Sequence, residues 1–255
     1  MIFRYPGGKS RKAVWSWILE HAPPNFDEYR EPFVGGGGVF FQIPTSKRRW
    51  INDRHKGLIA VYKALQDRPE EFVKRCRSLK EESLRTVFDR IKLDEHFDPA
   101  CRYFLVNRVG YAGRVNYDIP SRLYFSNPTG WRIVHGPKME RAAEIVKGVQ
   151  VTCEDYADLL TTPGKNVFIY LDPPYIKNTK LAKSSRLYQH NFEFEDHARL
   201  AELVRACNHR VLLSYDDTPE VRSLYDGFRI IEGGWKYSGT DKAEKDFGKE
   251  VLIAN

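Results

Sequence analysis

The sequence has no run of about 18 apolar residues, so it offers no membrane-spanning helix. Its start, Met1-Ile2-Phe3-Arg4-Tyr5-Pro6, lacks the apolar core of an export signal, and a cytoplasmic protein is expected. Cysteine is scarce: four in 255 residues, at positions 76, 101, 153 and 207. None sits in a C-x-x-C pair, which argues against a zinc site and fits reduced thiols. No metal is expected. None of the four follows a proline, so the chain has no Pro-Cys pair to act as a thiolate nucleophile on cytosine C5. There are no internal repeats and no low-complexity linker. Two nucleotide signatures are missing as well. No G-x-x-x-x-G-K-[ST] run exists, and G-x-G-x-x-G read from Gly35 or Gly36 fails at Phe40 or Phe41.

What is present begins with charge. Lysine and arginine total 41 against 34 acidic residues, a net +7. A basic balance suits a polyanionic partner, because neutralising phosphates releases counterions. Arg102, Arg108, Arg114, Arg122 and Arg132 punctuate an aromatic-rich middle.

Strand-like and helix-like runs alternate over most of the chain. Residues 29–33, 49–53, 149–153, 167–171, 210–215, 228–232 and 250–254 read as strands. Residues 11–21, 58–65, 194–207 and 219–225 read as helices. A further helix is expected to open at the glycine run and continue through Val39-Phe40-Phe41. The last two strands are expected to form an antiparallel edge hairpin. Alternation of this kind implies an α/β fold with a mostly parallel sheet. Residues 67–137 differ, being helical and charged, then loop-like. They read as an insertion carrying a small helical subdomain between catalytic parts at 1–66 and 138–255.

Two loops carry chemistry. Asp172-Pro173-Pro174-Tyr175 follows the apolar run Val167 to Leu171, and ligands bind at the carboxyl ends of strands in open α/β sheets. Proline fixes φ and has no N–H, so the loop has a set shape and free carbonyls. Asp172 and the Pro173 carbonyl can each accept one hydrogen of an exocyclic amine, while Tyr175 stacks on the ring. An ordinary turn would use the same residue types. The second loop is Glu31-Pro32-Phe33-Val34-Gly35-Gly36-Gly37-Gly38. Glycine lets the backbone approach a ligand closely, and Asp53 ends the next strand, where a carboxylate accepts from ribose hydroxyls. Glu31 repels pyrophosphate and suits S-adenosylmethionine, whose sulfonium and ammonium are positive. Lys9, in Tyr5-Pro6-Gly7-Gly8-Lys9, is placed to pair with that cofactor's carboxylate.

Together these segments resemble the DNA adenine-N6 methyltransferases of the Dam family, in its α group, over nearly the whole chain. Tyr5 to Lys9 is similar to the family's aromatic-x-Gly-Gly-Lys, Glu31 to Gly37 to its Glu-Pro-Phe-x-Gly-x-Gly, and Ile51-Asn52-Asp53 to its ribose-binding strand end. Tyr103 to Gly110 resembles a segment of its target-recognition region, and Asp172 to Tyr175 its catalytic Asp-Pro-Pro-Tyr. The resemblance implies a Rossmann-like S-adenosylmethionine-dependent methyltransferase sheet with a helical target-recognition insertion. It implies cofactor contacts from Tyr5, Lys9, Asp53, Asp172, Asp155 and the backbone from Phe33 through Gly35 to Gly37. Contacts to double-stranded DNA are implied around Asn107, Arg108, Tyr111, Arg114, Asn116 and Arg122. The expected catalyst is a monomer or weak dimer. The stretch from Tyr111 to Pro120 matches only in part, so the family's best-known target sequence does not transfer. Lys177 to Phe192, polar and just past the catalytic loop, is expected to close over the flipped base. An RNA adenine methyltransferase, or a nucleic-acid binder with a decayed site, would share most of these residues.

Overall fold

The computed structural model describes residues 1–4, 8–80, 83–113, 115–117, 123–176, 192–234 and 249–255. Among them lie strands β1 (Glu28–Glu31), β2 (Arg48–Asn52), β3 (Gln150–Thr152), β4 (Val167–Leu171), β5 (Arg210–Asp216), β6 (Arg229–Gly234) and β7 (Lys249–Ala254). They form one sheet in the order β3-β2-β1-β4-β5-β7-β6. β3, β2, β1, β4 and β5 are parallel, whereas β7 runs antiparallel to both β5 and β6.

Every residue of β4 is buried, as expected of a central parallel strand covered on both faces. β1 is also wholly buried although its sequence is Glu-Tyr-Arg-Glu. Its charges are matched locally. Arg30 donates to Glu28 at 2.6 Å and to the carbonyls of Leu159, Thr162 and Pro163 at 2.8, 2.6 and 3.1 Å. β1 ends at Glu31 because Pro32 has no N–H to give the ladder.

The helices are α1 (Lys12–Glu20), α2 (Lys56–Asp67), α3 (Pro69–Arg77), α4 (Leu84–Ile91), α5 (Pro99–Val109), α6 (Lys138–Val146), α7 (Tyr156–Thr161), α8 (Phe194–Ala206) and α9 (Pro219–Leu224). None among the described residues is long and apolar enough to cross a membrane. α5 is capped by Asp98, which accepts from Cys101 N at 2.8 Å and pairs with Arg68. Its Phe104 is fully buried, with ring centroids of Phe3, Phe72 and Trp131 at 6.2, 5.8 and 5.6 Å. The helices of the 67–137 segment thus share one apolar core with Ile2, Phe3, α2 and α6.

One expectation is corrected and one is met. No α-helix opens at the glycine run; a single 3-10 turn, Phe40–Gln42, stands there. Gly35 and Gly37 have φ of +46° and +71°, and Ile43, extended ahead of Pro44, leaves no room for further turns. β6 and β7 do form an antiparallel pair at the edge of the sheet, as expected, with β6 outermost and β7 between β5 and β6.

Phe104→Ala removes about 3–5 kcal/mol of stability. Because the core is shared, chemical denaturation should still show one cooperative transition, shifted to lower denaturant.

Candidate active site

The strand order reverses between β1 and β4, the crevice where open α/β sheets bind ligands. Carboxylates gather around it: Glu31 ends β1, Asp53 follows β2, Asp172 follows β4, Asp216 ends β5, and Glu250 pairs with Asp216 across the β5–β7 ladder.

The glycine loop is tied down from β2. Val34 N donates to Asn52 O at 2.9 Å and Gly35 N to Asp53 Oδ2 at 3.0 Å. Asp53 Oδ1 accepts from His55 N at 2.9 Å, and the Tyr62 hydroxyl holds Gly35 O at 3.1 Å. A Cβ on Gly37 would lie 2.7 Å from that hydroxyl, so the loop closes only with glycine there. Buried Asn52 donates to Pro32 O and Glu154 O, both at 3.1 Å, and accepts from Glu154 N at 2.8 Å. It fixes the glycine loop against the end of β3, a role the sequence did not announce. Burial pushes Asp53 up to about 6 against the two amide donors.

The loop from Asp172 to Tyr175 is organised around Lys9. Its side chain is 4% exposed, and Nζ lies 3.1 Å from Asp172 Oδ1 and 3.5 Å from Glu250 Oε1. It donates to the Tyr175 hydroxyl at 2.6 Å. Asp172 Oδ1 also accepts from Ser214 Oγ at 2.9 Å and from the Tyr175 hydroxyl at 3.3 Å. Ser214 is held in turn by Tyr170 at 3.0 Å. Among the described residues these contacts all fall on Oδ1, which leaves Oδ2 of the partly exposed carboxylate for a ligand. Ser214, Tyr170 and Glu250 were missed in the sequence because each lies inside a strand, where an apolar neighbourhood hides a polar role.

The structure moves several other expected residues. Lys9 faces Asp172 and Glu250 rather than standing open for a cofactor carboxylate. Glu31 is 2% exposed and accepts from Tyr29; burial drives its carboxyl well up, opposed by the Tyr29 hydrogen bond. Phe33 stacks among Tyr156 and Phe192, centroids 5.2 and 5.9 Å away, forming an aromatic wall. Asp155 caps α7 through Ala157 N and takes Arg199 in two bonds of 3.0 and 3.1 Å. Asn107 is a correction: it is fully buried, with Oδ1 accepting from Arg4 N at 3.0 Å and Nδ2 donating to Arg4 O and Gly113 O at 2.6 and 2.9 Å. It stitches the chain's first residues to the segment around Gly113 and has no reach to DNA. Asn116 is buried too. Arg108 donates to Gly130 O at 2.9 Å, and burial lowers it to about 10. Tyr111 does stand exposed, beside exposed Tyr124, whose carbonyl accepts its N–H at 2.8 Å. Tyr5, Arg114, Arg122 and residues 177–191 of the expected closing segment lie outside the described residues.

Comparison with known proteins gives the chain its family. Residues 5–238 match the family described as D12 class N6 adenine-specific DNA methyltransferase. The chain belongs to that family. Among its relatives is the type II methyltransferase M1.LlaDCHI of Lactococcus lactis subsp. cremoris, 24% identical over 99% of this chain and 94% of that one. M.MjaIII of Methanocaldococcus jannaschii is 26% identical over 100% and 98%. The DNA adenine methylase of Escherichia coli K12 is 30% identical over 78% and 76%. As a D12 class enzyme the chain methylates adenine N6 in DNA with S-adenosylmethionine as donor.

The crevice fits that donor. A cationic group is favoured beside several carboxylates in a low-dielectric pocket, and the buried Glu250 carboxylate accepts no hydrogen bond among the described residues. Burial pushes Asp216 up to about 6 and Glu250 up to about 7, in each case with Lys9 opposing and Asp172 adding to the rise. Among the described residues no side-chain group could hold a metal.

These raised acids have a definite sign. The folded state holds their protons more tightly than the unfolded chain, so their contribution is present below pH about 4 and lost as pH rises through about 6 to 7. Without ligand, the D12 enzyme should lose about 1–3 kcal/mol of stability between pH 5 and 8, read by denaturant titration. Deprotonation also prepares the pocket for a cation, so S-adenosylmethionine affinity by calorimetry should tighten over the same window. A flat profile in both measurements would remove the carboxylate cluster from cofactor binding.

Proposed function

We propose that Asp172, Pro173 and Tyr175 form the site that holds the target adenine of double-stranded DNA, with the glycine loop and Asp53 holding the donor. The observation that carries this reading is the three-point anchoring of Asp172 Oδ1 by Lys9, Ser214 and Tyr175. A carboxylate pinned on one oxygen presents the other in a fixed direction.

The adenine amine is a weak nucleophile because its lone pair is spread into the ring. Asp172 Oδ2 accepts one N6 hydrogen and the Pro173 carbonyl the other, drawing the nitrogen toward tetrahedral geometry and localising the lone pair. S-adenosylmethionine, when bound, supplies the electrophilic methyl. The protein's share is orientation and electrostatics, with no covalent enzyme intermediate. The target base leaves the duplex, at a cost of a few kcal/mol, and stacks on the partly exposed face of Tyr175. Burial, with Asp172 adding to it, drives the Tyr175 hydroxyl well up, so the ring keeps its proton and its hydrogen bond to Asp172. Asp53 accepts from the donor's ribose, and Phe33, in an edge-to-face cluster with Tyr156 and Phe192, offers apolar surface for its adenine.

DNA engagement falls to the 67–137 segment, where Tyr111 and Tyr124 are exposed on a chain of net charge +7. Phosphate neutralisation by such a surface makes binding weaken with salt. The enzyme acts in the cytoplasm, as a monomer or weak dimer, on the DNA found there.

Plasmid lacking adenine methylation, treated with the protein and S-adenosylmethionine and read by long-read sequencing, should show N6-methyladenine confined to one short motif. Asp172→Ala should fold normally and lower methyl transfer by about 10³-fold or more. Methylated RNA with unmodified DNA would replace the substrate; an active Asp172→Ala enzyme would remove Asp172 from the chemistry.

A further inference from the structure

Glu250 enters the site above only as one carboxylate among several, yet its placement sets it apart. It sits on β7 with a fully buried side chain, opposite Asp216 of β5. Among the described residues neither of its oxygens accepts a hydrogen bond. Among the described residues its close cation is Lys9, at 3.5 Å, and the same ammonium lies 3.1 Å from Asp172. Two carboxylates therefore bid for one buried charge. An unsatisfied buried carboxylate is expensive, and a strand interior offers many cheaper residues. The position of this acid is thus informative.

We propose that Glu250 is a positioning residue for methyl transfer: it competes with Asp172 for Lys9 and so sets how much negative charge Asp172 presents to the substrate amine. The proposal rests on the reading that Asp172 accepts the N6 hydrogen. When Glu250 is ionised, Lys9 is shared, and Asp172 keeps the charge that draws on the amine. When Glu250 is protonated, Lys9 pairs with Asp172 alone and blunts it. Lys9 does not leave in either state, because its bond to the Tyr175 hydroxyl persists. The groups facing Glu250 are Lys9 from the chain start, Asp172 and Tyr175 from the loop after β4, Tyr170 from β4 and Asp216 from β5. Burial, with Asp172 and Asp216 adding to it and Lys9 opposing, places Glu250 near 7. The exchange of Lys9 between the two acids then falls within the working range of pH.

The test is single-turnover methylation from pH 5.5 to 8.5 for the wild type, Glu250→Gln and Glu250→Asp. Target-base flipping is followed separately by 2-aminopurine fluorescence without S-adenosylmethionine. The wild type should show a rate rising through pH about 7. Glu250→Gln, which keeps the shape of the protonated acid, should be slower by about 10-fold at pH 8 with that rise flattened. Its DNA affinity and its flipping signal should stay within about twofold of wild type, and its rate is read at saturating S-adenosylmethionine, so that any change in donor affinity stays out of the comparison. Glu250→Asp, which restores the charge, should restore the rise and part of the rate. A Glu250→Gln enzyme with the wild-type rate and profile would overturn the proposal. A wild-type rate that does not change between pH 6 and 8 would overturn it without recourse to any variant. Failure of the parent reading looks different: Asp172→Ala would then be active, whatever Glu250→Gln does.

Discussion

The catalytic end of the sheet depends on one ion, the ammonium of Lys9. It is nearly sealed from solvent and set between Asp172, Glu250 and the Tyr175 hydroxyl. Burying a charge costs several kcal/mol unless partners replace its water, and these three groups do so. The arrangement works in both directions. The carboxylates make the buried lysine tolerable, and the lysine makes a crowd of carboxylates tolerable at the ends of β1, β2, β4, β5 and β7. The outcome is a crevice with negative charge in excess of its resident cation, a suitable environment for a positively charged methyl donor and a poor one for a pyrophosphate.

Sheet topology makes this possible. The reversal between β1 and β4 opens the crevice, and the interior placement of β7 adds an acid from the far side of β5. If β7 were the edge strand, Asp216 would have no acidic partner and Lys9 would belong to Asp172 alone. The strands also supply the anchors that orient the loops. Ser214 of β5 holds Asp172, and Asn52 of β2 holds Pro32 and Glu154. The reactive loops follow their strands by a residue or two, so their geometry is inherited from the ladder rather than from loop sequence.

Much of this was legible before any coordinates. The Asp172 to Tyr175 loop, the glycine loop and Asp53 are local features: proline, glycine and a carboxylate just past an apolar run mark a strand end whatever the tertiary context. The parallel core was legible from periodicity. What could not be read depended on pairing between distant segments. Glu250 looks like an ordinary charge in a final strand, and only the antiparallel register with β5 brings it to Lys9. Asn107, beside an arginine in a recognition-like segment, looks like a DNA contact. The burial of α5 turns it into a clamp on the Arg4 backbone. The helix expected after the glycine run failed for a local reason, since Ile43 precedes Pro44 and must be extended.

The Lys9–Glu250 contact joins positions near opposite ends of the sequence. Closing such a long loop is slow and entropically unfavourable, and must precede the reward of the contact. During synthesis the glycine loop, the recognition helices and the Asp-Pro-Pro-Tyr segment all emerge well before β7. A ribosome-bound chain therefore carries most of the site's parts but not the charge balance that organises them. Commitment of the catalytic geometry is deferred until translation has delivered the β7 strand.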